Sequence, residues 1–418
     1  MAAEKIRIDD LAVPRLDSRQ KAALAYGEKN PVTLRVDAVL EAARERTGLD
    51  DFGPDDFLPR LGLWLEEADQ DPERTALGRL VLWNDCVRCA ANRLWVHDLL
   101  TRHPEIHDVP IERPIIVVGL PRSGTTHLVN LIAADARLRS LPLWESQQPV
   151  PDPREAPGPD GVDPRHARSE ATWQAMKLQS PLLAAMHPMS PDHIHEEIEL
   201  QLPDFASYNQ EWVARAPRWR DDYLSKDQTP HYAYLKTVLQ ILQWLRPRER
   251  WVLKSPQHLE QLGPLLATFP DASVVVTHRD PVSVIQSAAT MLAYGARISY
   301  RDPQPRWYLD YWADRIRRLL EASVRDRAVL PSGRTVDVLF HEFMADEAGT
   351  LERIYAAADL PYTDEARAEQ RAYVEAHPRG RDGQVVYDLR GDFGAEPDAL
   401  REPFDFYLKR FPVRVEVS

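Results

Sequence analysis

Cysteine is scarce in this chain. Two residues in 418 exclude a disulfide framework and fit a reducing compartment, so a cytoplasmic protein is expected. No apolar run approaches the roughly 18 residues of a membrane-spanning helix. The polar start, residues 1–10, lacks the apolar stretch of a secretory signal. A basic excess is missing too: 52 Lys and Arg against 65 Asp and Glu leave a net charge of −13. That charge argues against nucleic acid as a partner, because binding it rests on cations that release counterions. Internal repeats and long low-complexity tracts are likewise absent.

The two thiols form Cys86-Val87-Arg88-Cys89, a spacing shared with redox and zinc motifs. Zinc wants four ligands and no second cysteine pair exists. The flanking Leu82, Trp83, Ala90, Ala91, Leu94 and Trp95 repeat as on one amphipathic helix. Two buried small side chains are the better reading. Arg315, Arg317 and Arg318 stand among acidic residues and read as a solvated helix face.

What is present is a core-sized apolar content, 44% of residues, and a strand–loop–helix signal. Residues 114–118 read as a buried parallel strand, and Gly119-Leu120-Pro121-Arg122-Ser123-Gly124 follows as a turn. Thr125-Thr126 then opens a helix. This arrangement presents backbone N–H groups to a phosphate-like anion. The Gly119–Gly124 spacing matches the phosphate loop of nucleotide-binding proteins, but Thr125 stands where that motif needs Lys. The cation lies inside the loop instead, at Arg122.

Further strand–helix units follow. Strands are expected at 251–253, 273–277 and 335–340, with helices at 258–268, 281–292 and 307–328. Functional residues at strand C-termini imply an α/β, P-loop-type three-layer fold with a doubly wound parallel sheet. A helical region over residues 1–110 precedes the α/β domain, 111–418, and packs on the sheet or roofs a pocket. A helical insertion at about 150–248 interrupts the domain, beginning with an irregular loop at 149–164 rich in Pro, Gly and Asp.

Pro121-Arg122-Ser123-Gly124-Thr125-Thr126 resembles the 5′-phosphosulfate loop of the sulfotransferases, which use 3′-phosphoadenosine-5′-phosphosulfate as donor. Arg279 at a strand end, with Ser287 eight residues later, is similar to that family's 3′-phosphate pair. The resemblance spans roughly residues 30 to 410 and looks closest to the bacterial branch. It implies that Arg122, Ser123, Gly124, Thr125 and Thr126 hold the phosphosulfate and that Arg279 and Ser287 hold the 3′-phosphate. Arg379-Gly380-Arg381 resembles the family's donor-gripping loop less closely. Lys254 occupies a strand end where the family, particularly its tyrosyl-protein branch, places a lysine touching the sulfuryl group. Many cytosolic members stack adenine on a Trp where this chain has His127, and on a Tyr near the position of Phe340; neither aromatic is matched here.

An acceptor hydroxyl must lose a proton to a base. Glu145 follows the loop helix, as the catalytic Glu of the tyrosyl-protein branch does. Glu197 ends a His-rich stretch, 186–197, where an acceptor pocket would form. These two are equal candidates and His195 is a third. His187, His193 and His195 show no metal-specific spacing, and no metal is needed because Arg122 and Lys254 supply positive charge. Asp280-Pro281 reads as a helix cap and first-turn proline.

The reading is a sulfotransferase acting on a hydroxyl of a small-molecule or lipid acceptor; assembly as a homo-oligomer is left open. Its rivals are a P-loop nucleotide-dependent kinase and a non-catalytic nucleotide-binding protein. Thr125 in the lysine position weighs against the first, and Arg122, Lys254, Arg279 and Ser287 together weigh against the second.

Overall fold

The protein is described by a computed structural model covering residues 4–158, 160–378, 380 and 383–418. Its strands, in chain order, are β1 (Lys5–Arg7), β2 (Ile115–Gly119), β3 (Leu138–Arg139), β4 (Arg250–Ser255), β5 (Ser273–His278), β6 (Thr335–Leu339) and β7 (Gln384–Val386). Strands β2 to β6 make one parallel sheet in the order β3-β4-β2-β5-β6. β1 and β7 pair separately, also in parallel, and tie the two ends of the chain together.

The near-continuous β-branched runs of β2 and β5 are buried at every position, as strands covered on both faces require. Alternate residues serve opposite faces. Ile116, Val118, Val274 and Val276 join a core with Leu235, Leu239 and Ile285. Ile115, Val117, Val252 and Val275 join another with Leu128, Ile132 and Leu351. The sheet is therefore the middle of three layers, as the sequence predicts. β2 lies between β4 and β5, with Val117 level with Lys254 and Val275. The strand order places the C-terminal ends of all three at one crevice, the usual ligand position in such sheets.

Helices Val36–Thr47, Leu58–Gln70 and Ala76–Arg102 share a third core with Leu202, Phe205, Trp219 and Tyr223 of the inserted segment. The inserted segment is carried mainly by Pro164–Gln179 and Thr229–Leu245, with shorter helical turns between. Cys86 and Cys89 are free and buried in the third core, and burial pushes the Cys89 thiol up to about 12. Among the described residues no helix is long and apolar enough to cross a membrane.

Three expectations change. β3 adds a fifth strand; two residues are too few to leave a sequence pattern. The helix expected at 258–268 is a 3-10 turn, Pro256–Glu260, followed by a separate helix, Leu262–Thr268. Arg315 is not on a solvated face. Tyr308, Trp312, Arg315 and Leu319 form one buried stripe of helix Pro305–Asp326, while Arg317 and Arg318 pair with Asp314 on its outer side.

Candidate active site

The bend after β2 is held by contacts that its sequence makes possible. A side chain at Gly119 would collide with Thr277. Gly124 has φ 84°, and a Cβ there would stand 2.9 Å from the Phe340 ring. Arg122 also adopts a left-handed conformation, φ 63°, unusual for a residue with a Cβ. Arg279 steadies it by donating from Nη1 to the Arg122 carbonyl at 2.6 Å. Helix Thr125–Ala133 then begins with no side-chain cap. Its first N–H groups, which no helical carbonyl can reach, face a cavity of about 1300 Å³ lined by Gly124, Thr125, Thr126 and His127.

Ser123 departs from its expected role. Its hydroxyl is buried and donates to the Leu120 carbonyl at 2.6 Å, with Thr277 Oγ1 at 2.9 Å. It closes the bend from within and does not reach the cavity. Asp280 caps helix Pro281–Ser299 through Val282 N–H, with Pro281 in the first turn, as the sequence suggests.

The cations gather around the loop. The Arg122 Nε donates to Ser287 Oγ at 3.1 Å and its Nη1 to the Met186 carbonyl at 2.8 Å. Among the described residues no carboxylate lies within ion-pair distance of it. Arg279 faces the loop, lies 3.9 Å above the Phe340 ring and lines the cavity. Arg279 and Ser287 thus meet through Arg122 rather than touching each other. A residue that sequence reasoning missed, Glu416, holds Arg279 at 2.7 and 2.6 Å. The two stand 137 positions apart, so no local signal could have announced that contact. Lys254 is buried; its Nζ pairs with Glu196 and lies 3.4 Å from Thr126 Oγ1. Gly380 lines the cavity, whereas Arg379 and Arg381 lie outside the described residues.

Neither carboxylate expected as the base faces the cavity. Glu145 is buried between Arg139 at 2.7 Å and Arg246 at 2.9 Å. It neutralises those two guanidiniums beside β3. Glu197 is fully buried, with Oε2 accepting the Lys254 N–H at 2.8 Å and Oε1 beside His258 Nε2 at 2.6 Å. It fixes the end of β4. The neighbouring Glu196 reaches the cavity instead, because the irregular chain before helix Ile198–Gln201 turns that position outward.

His195 does line the cavity, with His187 and His193; their ring centroids lie 5.7 to 6.5 Å apart. Burial, then the nearby Arg122, His195 and Lys254, lower the His187 pKa to about 3. Burial likewise holds His193 well below the usual histidine value. His187 and His193 therefore stay uncharged at neutral pH. His195 Nε2 stands 3.6 Å from Glu199 Oε1, and among the described residues its buried Nδ1 has no hydrogen-bond partner. Burial alone would raise the Glu199 carboxyl, but His195 and Arg88 hold it below the ordinary range. Among the described residues no three His, Cys, Asp or Glu side chains stand close enough to hold a metal ion.

Known proteins are similar to this chain in sequence and in fold. A sequence profile of the Sulfotransferase family matches residues 114–364, more than half of the chain. The crystal structure of sulfotransferase STF9 from Mycobacterium avium is similar at 28% identity and a TM-score of 0.81, covering 92% of this chain and 99% of that one. Sulfotransferase STF1 from Mycobacterium tuberculosis H37Rv is similar at 29% identity and a TM-score of 0.76, covering 90% of this chain and 100% of that one. Omega-hydroxy-beta-dihydromenaquinone-9 sulfotransferase Stf3 from Mycobacterium bovis is 23% identical over 287 residues, 63% of this chain and 67% of its own length.

Proposed function

The chain belongs to the sulfotransferase family, and on that premise we propose that its donor is 3′-phosphoadenosine-5′-phosphosulfate and its acceptor a hydroxyl of a small molecule or lipid. Stf3 bears the name of such a lipid substrate. Residues 111–418 supply the donor site and residues 1–110, with the insertion at 150–248, the acceptor side. Two buried free thiols suit a reducing cytoplasm.

In the reaction, the acceptor oxygen attacks sulfur and forms the new S–O bond. The bond between sulfur and the bridging phosphate oxygen breaks, and adenosine 3′,5′-bisphosphate leaves. Such transfers pass through loose transition states with charge on the peripheral oxygens, so positioning and fixed positive charge dominate. The helix N-terminus at Thr125 and the Arg122 guanidinium receive the charge that builds on the leaving phosphate. Lys254, beside Thr126, serves the sulfuryl oxygens. Arg279 and Ser287 hold the 3′-phosphate, each braced against Arg122. His195 takes the acceptor proton on Nδ1, and the Glu199 carboxylate stabilises the imidazolium that results.

One observation carries this reading. Among the described residues, an arginine without a carboxylate partner and a helix N-terminus without a side-chain cap line the same cavity as His195, whose Nδ1 has no hydrogen-bond partner. Thermal unfolding with adenosine 3′,5′-bisphosphate, run on the native enzyme and on His195→Asn, tests it. At about a hundred times Kd the nucleotide should add roughly 2.7 kcal/mol to both proteins, and ATP far less. Transfer by His195→Asn should fall about 10²–10⁴-fold. No stabilisation at saturation removes the donor assignment, and undiminished transfer removes the base.

A further inference from the structure

Helix Pro281–Ser299 runs along one side of the cavity and gives it a length. Near its start, Ser287 receives the Arg122 side chain at 3.1 Å. At its end, the Ser299 carbonyl accepts the Thr75 N–H of the N-terminal region at 3.0 Å. The 12 residues from 287 to 299 span about 18 Å at roughly 1.5 Å each. Leu292, Gly295 and Ser299, at i, i+3 and i+7, present one face of that helix to the cavity. Val81, 45% exposed, marks the far rim. At about 1300 Å³ the cavity exceeds the roughly 300–1,000 Å³ of most ligand pockets.

Gly295 has no packing reason to be glycine. Among the described residues a Cβ there would meet no atom within 4 Å, and its φ is not in the left-handed region. Gly78, in helix Ala76–Arg102 where it meets the end of helix Pro281–Ser299, is different: a side chain there would strike the Ser299 backbone. A glycine inside a helix is less stable than an alanine would be. Gly295 gives up that stability and leaves open volume on the cavity wall. Four of the chain's six methionines, Met176, Met189, Met291 and Met344, also line the cavity. Methionine makes an apolar wall that adapts to a flexible guest. Glu211 is in the lining too, but Arg315 holds it at 2.8 Å.

We infer that the arm of the cavity beside Gly295 takes the apolar tail of an elongated alcohol, and that Gly295 sets how long that tail can be. The inference rests on the sulfotransferase reading above: the hydroxyl lies at the His195 end and the tail points toward Val81.

Butanol and hexadecanol, the latter dispersed in mild detergent, serve as probe acceptors with 3′-phosphoadenosine-5′-phosphosulfate. Native enzyme should prefer hexadecanol in kcat/KM. Gly295→Leu should lower the hexadecanol-to-butanol ratio by on the order of tenfold or more, chiefly through KM, and Gly295→Ala by less. Neither change removes a helix-compatible residue, so folding should hold. Binding of adenosine 3′,5′-bisphosphate, measured on each variant, separates the two ideas. If the nucleotide binds but the ratio is unmoved, or native enzyme prefers butanol, the channel is refuted while the family reading stands. If the nucleotide binds to no form, the donor reading on which the channel depends has failed.

Discussion

Arg315 and Arg122 treat a guanidinium charge in opposite ways. Arg315 is fully buried and answered from every side: Glu260 takes both terminal nitrogens at 2.6 Å and Glu211 takes Nε at 2.8 Å. Tyr311 completes the network by donating to Glu211 at 2.6 Å. Arg122, half-buried at the cavity wall, is held by a hydroxyl and a backbone carbonyl. Those acceptors fix its direction without cancelling its charge. A structural arginine is neutralised where it stands, whereas an arginine kept for an anionic ligand is oriented and left charged.

Removing each charge should separate the two roles. Arg315→Leu leaves Glu211 and Glu260 buried without their cation, so a loss of about 3–5 kcal/mol in urea unfolding is expected. Below about 1 kcal/mol, the network would not be the structural element described. Arg122→Ala should leave unfolding nearly unchanged and lower kcat/KM by about 10²–10³-fold. If it instead destabilises the fold as strongly as Arg315→Leu, the contrast is lost and Arg122 is a structural residue.

What the sequence disclosed follows the same division. The bend at 119–124, the cap at Asp280 and the strand ends carrying Lys254 and Arg279 were legible because each is set by neighbours a few positions away. Arg315 reads as solvated in the sequence because its charged neighbours Asp314, Arg317 and Arg318 are local, while its partners Glu211 and Glu260 come from distant segments. Glu145 and Glu197 read as reactive carboxylates in the sequence, yet each is held by partners that only the fold supplies. At Glu196 and Glu197 a single position decides between cavity and core, and an irregular segment has no period from which to read that choice. Ser123 lies in the expected loop, but the direction of a hydroxyl depends on Thr277 from the next strand.

Arg279 stands between the two extremes, and the smallest expected effect tests its position. Glu416 holds it with two hydrogen bonds, and Asp280 anchors that tail by accepting the Glu416 N–H at 2.9 Å. Both side chains remain partly exposed, 21% and 25%, so the pair should be worth no more than about 1 kcal/mol. A phosphate that takes Arg279 must displace or share that carboxylate. Glu416→Gln removes the competing charge and keeps the side chain's size and the tail's backbone anchor. Adenosine 3′,5′-bisphosphate should then bind up to about fivefold more tightly by calorimetry, with the gain shrinking as salt is raised. Weaker binding would mean that Glu416 orients Arg279 for the ligand, making this arginine more like Arg122 than like Arg315. An unchanged affinity would place the 3′-phosphate away from Arg279 altogether.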